Sequence, residues 1–263
     1  MARGREDIQF KRVPALDKGF AILNLIAKGR KPLGITDLSK ALHYNKGTVF
    51  NIVHTMTDLG VLDRSDDGKF QLGTKMYVLG RAADGNSHLI RTVHPYLEEI
   101  NQKTKLSAFL GIRSGLRVVI IDKVDTAFDI KIHSEIGMRI PLLAGAGGQI
   151  LLCQLSDAEI DDILSKNSLK KFAPNSCLNK RVYKEMIRRT RKEGIALDDE
   201  AYIEGIRALA VPLWTGRENL QAAIWAVGLK RLLNDRSIAA RSNYLKGVAG
   251  KIEKQCAVEQ GIP

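Results

Sequence analysis

The chain has 263 residues, 44% of them hydrophobic, and a formal net charge of +12. This length supplies enough apolar side chains for two folded cores. The apolar runs are too short to cross a bilayer, and the charged N-terminus lacks the apolar segment of a secretory signal. A cytoplasmic protein without membrane contact is therefore expected. The positive charge favours polyanionic partners and is divided between both parts of the chain.

The cysteine and histidine patterns give no sign of a metal centre. Cys153, Cys177 and Cys256 lie far apart and form no CxxC pair, and the histidines form no HExxH pattern. Disulfides, metal sites and cofactors are therefore not expected, and the cysteines are interpreted as buried thiols.

Residues 14–28 predict the first helix, because apolar side chains recur there at helical spacing. These side chains are Leu16, Phe20, Leu23, Ile26 and Ala27. After a connecting turn, residues 35–42 predict a short helix capped by Thr36 or Asp37. Its inward side chains are expected to be Leu38, Ala41 and Leu42.

Residues 44–60, YNKGTVFNIVHTMTDLG, predict a helix with two different faces. Asn45 is placed to cap it. One face carries the apolar side chains Val49, Ile52, Val53, Met56 and Leu59. The other face carries Lys46, Thr48, Asn51 and His54. A charge combined with small hydrogen-bonding groups suits the recognition of another molecule.

A β-hairpin is predicted next, because short apolar runs flank the turn pair Asp67-Gly68. Helix, short helix, turn, helix and hairpin is the order of a winged helix-turn-helix. In that unit the second helix of the motif enters the DNA major groove, and the hairpin lies along the flanking backbone. Residues 1–72 are therefore predicted to form a DNA-binding domain.

Residues 73–87 predict a linker helix with Met76, Leu79 and Ala83 on one side, and residues 88–263 predict a second domain. Its predicted elements are a helix from residue 89, two strands turning at Ser114-Gly115, an extended stretch over 129–142, a small-residue turn that opens a helix near 145, helices over 156–166 and 180–193, strands over 206–214 and 220–229, and a helix over 235–257. This order predicts an antiparallel sheet with helices packed on it, an α+β fold. The basic run 180–192 is interpreted as a solvated helix face.

Over nearly its whole length the chain resembles the IclR family of bacterial transcriptional regulators. The matching stretches are KGFAILNLIA, GITDLSKALHYNKGTVFNIVHTMTDLGVLDR, GKFQLG, IGMRIPLLAGAGGQILL, GIALDDEAYIEGIRALAVPLW and LQAAIWAVGL. The resemblance implies an N-terminal winged helix domain, a linker helix used in dimerisation, and a C-terminal GAF-like domain that binds a small metabolite. It also implies dimers, or dimers of dimers, on palindromic double-stranded DNA operators.

The resemblance places the recognition helix at residues 46–58. The DNA-binding candidates are Thr36, Lys46, Gly47, Thr48, Phe50, Asn51, His54, Arg64 and Lys69. Asn51 stands where the family commonly has Arg, so a preference for adenine over guanine is expected. Lys46, and either Arg64 or Lys69 on the predicted hairpin (the wing), are interpreted as phosphate contacts. For Phe50 and His54, an exposed position without DNA contact stays an open alternative.

The resemblance also implies an effector pocket. The turn at Ala146 and Gly147 would offer backbone N–H groups to a carboxylate, and Asp198 matches a pocket acid of the family. Where the family usually presents small hydroxyl side chains this chain has Trp225 and Val227, and Ala208 stands at a position that can carry a thiol.

These replacements predict a carboxylic acid with an aromatic or other apolar body that stacks on Trp225. Phe109, Met138 and Leu143 are candidate walls, and Arg207 is a candidate charge partner. The alternative, that Trp225 packs between sheet and helix, stays open because alternation does not fix its face.

Two other functional hypotheses remain at this stage. The glycine-rich AGAGGQ segment and the acidic LDDE at 197–200 would be the basis of an enzyme, although LDDE is interpreted as a solvated loop. No dinucleotide or Walker motif and no Ser-His or Cys-His arrangement supports catalysis, so no catalytic residue is predicted. A DNA-binding protein without a ligand is the second alternative.

Overall fold

The computed structural model describes residues 11–29, 31–82, 87–127, 132, 134–216 and 220–259. The chain forms two compact units, Met1–Gly85 and Asn86–Pro263. The predicted contact of Ala83 lies outside the described residues. No described helix has the length and apolar content needed to cross a membrane.

The first unit has the predicted element order of a winged helix-turn-helix. Its elements are α1 Pro14–Lys28, α2 Ile35–Leu42, α3 Lys46–Asp58, β1 Leu62–Arg64, β2 Phe70–Leu72 and α4 Thr74–Ala82. Strands β1 and β2 pair antiparallel across the turn, where Gly68 has a φ of 78°. The side chain of Asn45 accepts a hydrogen bond from the Gly47 N–H at 2.8 Å, as expected for the α3 cap.

The cap of α2 differs from the prediction. The helix begins after Gly34, so Thr36 and Asp37 already lie inside its first turn. Asp37 contributes from the third helical position, where its carboxylate accepts a hydrogen bond from the Gly34 N–H at 3.1 Å.

The core of the first unit also corrects part of the sequence interpretation. Leu16 and Phe20 are 63% and 62% exposed, although their spacing predicted an inward face. The face of α1 that packs inward instead runs through Gly19, Ile22 and Ile26. A Cβ added at Gly19 would lie 2.7 Å from Cε of Met56 in α3, so this glycine packs directly against α3. That contact turns Leu16 and Phe20 outward. Ala41 of α2 is likewise exposed, not inward.

The second unit is an α+β domain, as predicted. Its elements are α5 Ser87–Thr104, β3 Ser107–Ser114, β4 Arg117–Val124, β5 Arg139–Pro141, α6 Gly145–Leu152, α7 Asp157–Lys166, α8 Lys180–Glu193, β6 Ala196–Asp199, β7 Ile206–Leu213, β8 Ala222–Leu229 and α9 Asp235–Glu259. The described strands form one antiparallel sheet in the order β5-β4-β3-β8-β7-β6. Of the extended stretch predicted over 129–142, the described strand residues are those of β5.

Two features of the sheet differ from the sequence interpretation. Ser114 pairs with Arg117, so the turn residues are Gly115 and Leu116, one position later than expected. The LDDE segment is not a solvated loop, because Ala196–Asp199 forms the edge strand β6 and pairs with β7. Asp198 is 8% exposed.

Apolar side chains cover the sheet on both faces. On one face, α5 and α9 pack over an apolar cluster that includes Leu97, Leu209 and Ile252. On the other face, α6, α7 and α8 pack over a cluster that includes Trp225 and Ile150. The second face carries the cavity described below.

The basic run of α8 is ion-paired as well as exposed. Lys184 contacts Asp161, and Arg188 and Arg191 both contact Asp157, at 3.0 and 2.7 Å. Hydrogen bonds from Arg191 and then Arg188 lower the pKa of Asp157. The acids of α7 therefore neutralise part of the positive charge that the sequence places on α8.

Candidate functional site

The first half of α3 presents polar side chains to solvent. Lys46, Gly47 and Asn51 are exposed and Thr48 is half-buried, whereas Val49 and Val53 are fully buried beneath them. The buried valines fix which face of α3 points outward. Thr36 is exposed in the first turn of α2.

Phe50 and His54 form an aromatic group with the hairpin. Their ring centroids are 4.2 Å apart, and the His54 ring meets the ring of Phe70 edge-on at 5.7 Å. Phe50 is 50% exposed, while His54 is half-buried. His54 thus packs between α3 and β2, which favours a supporting role for this ring over direct base contact.

The wing carries two cations in different settings. The Lys69 ammonium lies 2.6 Å from the Asp67 carboxylate, which also accepts a hydrogen bond from Ser65. The hydrogen bond from Lys69, followed by that from Ser65, lowers the pKa of Asp67 to about 2. Arg64 is exposed and has no acidic partner among the described residues. The Arg64 guanidinium is therefore available to bind an anion, whereas the Lys69 ammonium is already paired with the Asp67 carboxylate.

In the second unit, a cavity of about 80 Å³ lies between the start of α6 and the sheet. Its lining includes the predicted residues Phe109, Met138, Ala146, Gly147, Asp198, Ala208, Trp225 and Val227. It also includes Val118, Ile120, Ile132, Ser134, Ile140, Ala144, Gly145, Gly148, Tyr202, Ile203 and Ile206. The lining is mostly apolar, and two of its polar side chains, Asp198 and Tyr202, lie beside Gly145 at the start of α6.

Two predicted pocket residues lie elsewhere. Arg207 is 4% exposed and makes ion pairs with Asp199 and Asp235, both at 2.6 Å. Because Ala208 faces the cavity, the neighbouring position on β7 points to the opposite face of the sheet. Arg207 is therefore no charge partner for a ligand in this cavity. Leu143 lies outside its lining, beside a separate surface depression.

The start of α6 lies in the lining of the cavity. The first-turn N–H groups of any helix have no intrahelical partner, and here Ala144 is the N-cap and supplies no side-chain hydrogen bond to them. Gly145 has a φ of 66°, a left-handed conformation that favours glycine. A Cβ at Gly148 would lie 2.9 Å from the carbonyl carbon of Leu142 and closer still to its oxygen. These glycines let the helix begin directly against the preceding turn.

Asp198 is the acid of the described lining. One of its carboxylate oxygens, Oδ1, accepts hydrogen bonds from the N–H groups of Ala201 at 2.7 Å and Tyr202 at 3.3 Å. Burial raises the pKa of Asp198 in spite of these two bonds. A Cβ at Gly145 would lie 3.4 Å from the other oxygen, Oδ2, so this carboxyl adjoins the start of α6.

Trp225 forms part of the cavity wall between the sheet and α6. Its ring stacks on Phe109, with centroids 5.7 Å apart and an interplanar angle of 24°. A Cβ at Gly147 would lie 3.5 Å from Cδ2 and Cε3 of the indole, which is 4% exposed. Protein atoms therefore cover much of the ring, and the open space continues beside it towards Ala208 and Val227. The prediction that an effector stacks on Trp225 remains a prediction.

Sequence reasoning missed the contribution of the β6–β7 connection. Tyr202 and Ile203 line the cavity from this loop, and Ile206 does so from the start of β7. Ile206 could have been found, because it lies two residues before Ala208 and so shares its face of the strand. The loop residues carry no periodic signal.

The polar side chains in the described lining are Ser134, Asp198 and Tyr202. Burial raises the pKa of Tyr202. Within the described residues, the hydroxyl groups of Ser134 and Tyr202 donate no hydrogen bond to a carboxylate or an imidazole. The Ser134 hydroxyl donates to the carbonyl of Ile132. Among described residues, no group of three or more His, Cys, Asp or Glu side chains could hold a metal ion.

Two family models match the chain. The IclR helix-turn-helix domain matches residues 15–66, and the bacterial transcriptional regulator IclR C-terminal model matches residues 82–254. Among curated relatives, the HTH-type transcriptional regulator XynR of Escherichia coli is 28% identical over 228 residues, covering 86% of this chain and 90% of XynR. The HTH-type transcriptional regulator KdgR of the same species is 31% identical over 215 residues, covering 81% of each chain.

Solved structures share the fold over almost the full length. The Thermotoga maritima IclR has a TM-score of 0.75 at 25% identity, covering 92% of this chain and 98% of its own. An IclR homolog from Microbacterium hydrocarbonoxydans, solved with 4-hydroxybenzoate, has a TM-score of 0.77 at 20% identity, covering 93% and 99%.

Proposed function

The chain belongs to the IclR family of bacterial transcriptional regulators, and we propose that it binds a palindromic operator as a symmetric oligomer under the control of a carboxylic acid with an apolar body. Its helix-turn-helix domain binds DNA and its C-terminal domain binds a small-molecule effector. The operator symmetry, the oligomeric state and the effector class are parts of the proposal.

The proposal for DNA rests on the exposed start of α3. Lys46 and Asn51 are free of the core, and their helix is held by a buried valine pair and the Asn45 cap. A rigid helix that presents an amide and an ammonium is suited to base reading and phosphate contact, respectively. Two such helices related by a two-fold axis require half-sites about one helical turn apart, or an in-phase multiple of it.

Exposed apolar side chains in the first unit support self-association. Leu16 and Phe20 of α1, together with Tyr77 and Val78 of α4, are each more than half exposed. Isolated apolar residues are common on protein surfaces, but several on two helices favour contact with a partner. A second copy of the chain is the partner that the operator symmetry requires.

Footprinting on the promoter of the protein's own gene tests the operator proposal. Two protected half-sites related by a palindrome are expected, whereas one asymmetric half-site would contradict a symmetric oligomer. Asn51→Ala should reduce the preference at one operator position by about 1–3 kcal/mol, while Lys46→Ala should weaken all sequences alike and lower the salt slope. If neither variant changed binding, α3 would not be the reading helix.

The proposal for the effector rests on the placement of the cavity at the start of α6. Unpaired backbone N–H groups and the positive end of the helix dipole favour an anion there. Asp198, with its raised pKa, can donate to a carboxylate when protonated or accept from a ligand hydroxyl when ionised. The apolar remainder of the lining would leave a highly oxygenated acid with unpaired polar groups.

Calorimetry on the full chain tests the effector class. Benzoate, 4-hydroxybenzoate and short alkanoates are compared with their uncharged amides, and the acids should bind while the amides bind weakly or not at all. Trp225→Ser should weaken binding of apolar acids and leave operator binding intact. Equal binding of acids and amides would contradict the carboxylate assignment, and an unchanged response of the Trp225 variant would contradict its place in the site.

A further inference from the structure

A second cavity adjoins the first one at the end of the central strands. Its volume is about 260 Å³, and its lining is mostly apolar. Leu106, Gly228, Leu229 and Leu232 line this second cavity and not the first. Both cavities share Ile132, Ile203, Ile206 and Val227, so these side chains form the partition between them.

The pairing of β7 with β8 gives the two cavities a common floor. Trp225, Val227 and Leu229 lie at alternate positions of β8 and therefore on one face of the strand. Val227 pairs with Ala208, and Leu229 pairs with Ile206. The floor thus runs along β8 from the indole, past the small side chain of Ala208, to the second cavity. At the rise of an extended strand, Trp225 to Leu229 spans about 13 Å.

Part of the partition belongs to a loop that can adjust. Ile203 is 44% exposed and lies between β6 and β7. The loop ends are fixed, because the Glu200 N–H donates to the Ile206 carbonyl at 3.1 Å and the Gly205 N–H donates to the Glu200 carboxylate at 2.9 Å. Ile203, between these fixed ends and half in solvent, can change rotamer without the loss of either hydrogen bond.

The first cavity alone is small for an acid with an apolar body. Its volume of about 80 Å³ is below the roughly 150 Å³ of a cavity known to hold benzene. The start of α6 and the covered face of Trp225 bound it on one side, and the lining that it shares with the second cavity lies along β8. The second cavity supplies the missing apolar volume in that direction.

We propose that the effector is an elongated acid, whose carboxylate lies at the start of α6 and whose apolar chain crosses the Ile203–Ile206–Val227 partition into the second cavity. This inference rests on the proposed carboxylate site and adds the length and direction of the ligand. A span of about 13 Å corresponds to an extended chain of roughly ten to twelve carbon atoms, alkyl or aryl-alkyl.

Calorimetry with linear alkanoates from butanoate to tetradecanoate, each below its micelle-forming concentration, tests the proposal on the full chain. Affinity should rise about fourfold with each methylene group that enters apolar surroundings and should level off near ten to twelve carbons. Constant affinity along the series, with butanoate still bound, would overturn the elongation and leave the carboxylate site intact. If no acid of any length bound, the carboxylate site itself would be wrong.

Leu229→Trp fills the second cavity without touching the first. In this variant the affinity should stop rising with chain length beyond about four or five carbons. Butanoate should bind as tightly as it does to the unsubstituted protein. Leu232→Trp is an independent variant in case Leu229→Trp fails to fold. Val258→Trp is the matched control, because Val258 is 77% exposed and lines neither cavity. A full chain-length gain in a folded Leu229 or Leu232 variant would overturn the proposal.

Discussion

Alanine at Gly148 should destabilise the second unit, although alanine normally favours a helix. In an open helical position the change from glycine gains about 1 kcal/mol. At Gly148 the new Cβ would lie 2.9 Å from the Leu142 carbonyl carbon and closer to its oxygen, and neither backbone atom can change rotamer. The shift of α6 should cost about 3 kcal/mol. The expected net loss is about 2 kcal/mol, or about 4–8 °C in Tm for a domain of this size.

Gly247→Ala in α9 is the matched control, because nothing lies within 4 Å of the added Cβ there. This variant should gain about 1 kcal/mol and about 2–4 °C. Thermal unfolding of the full chain, followed by circular dichroism and calorimetry, measures both variants. If Gly148→Ala were stabilised as much as Gly247→Ala, α6 would not approach the turn before it as closely as described.

Three further predictions concern charge, pH and assembly. Asp67→Asn removes the acidic partner of Lys69 and so frees this ammonium for a DNA phosphate. Anisotropy titrations at several salt concentrations should show tighter DNA binding and a slope of log K against log salt that is steeper by about 0.9 per hairpin. Unchanged binding and slope would place the hairpin away from phosphates. Burial raises the pKa of Asp198 in the folded state, so ionisation of this carboxyl opposes folding. The loss of stability begins as pH rises past the pKa of about 4 in the unfolded state, and it is complete above the pKa in the folded state. Asp198→Asn should therefore raise Tm near pH 7–8, with a difference that shrinks towards pH 4; a difference independent of pH would contradict this cause. Phe20→Asp should keep the fold, because this side chain is 62% exposed. It should increase the fraction of monomer measured by sedimentation equilibrium. An unchanged ratio of monomer to oligomer would show that α1 is not part of the proposed interface between copies.

Most elements of the fold could be predicted because their signals are local. Asn45 caps α3, and Gly68 turns the hairpin, through interactions within a few residues. The inward face of α1 could not be predicted in the same way. Leu16 and Phe20 match a helical stripe as well as Ile22 does, and the packing of α1 against the other elements of the core decides between the two faces.

The cavity shows the same limit for strands. Nearly every residue of β7 is buried, so the alternation of polar and apolar residues could not tell which face Arg207 occupies. Its ion-pair partners, Asp199 and Asp235, lie on β6 and α9 and could not be assigned to it from the sequence. Strand β6 is short and acidic, and it is a strand because β7 offers it an edge. Asp198 was found through the family resemblance, whereas Tyr202 lies on a loop with no pattern.

The close contact of Gly148 with the Leu142 carbonyl has a consequence for the evolution and engineering of effector specificity. The end of the cavity proposed to bind a carboxylate is built largely from the backbone of α6, and a backbone contact fixes its position, so side-chain substitutions other than at Asp198 have little access to it. The other end is built from side chains on β8 and from Ile203, which can be exchanged without moving α6. Changes at Val227, Leu229 and Ile203 are therefore expected to alter which apolar bodies the cavities accept, while the proposed carboxylate anchor is inherited unchanged.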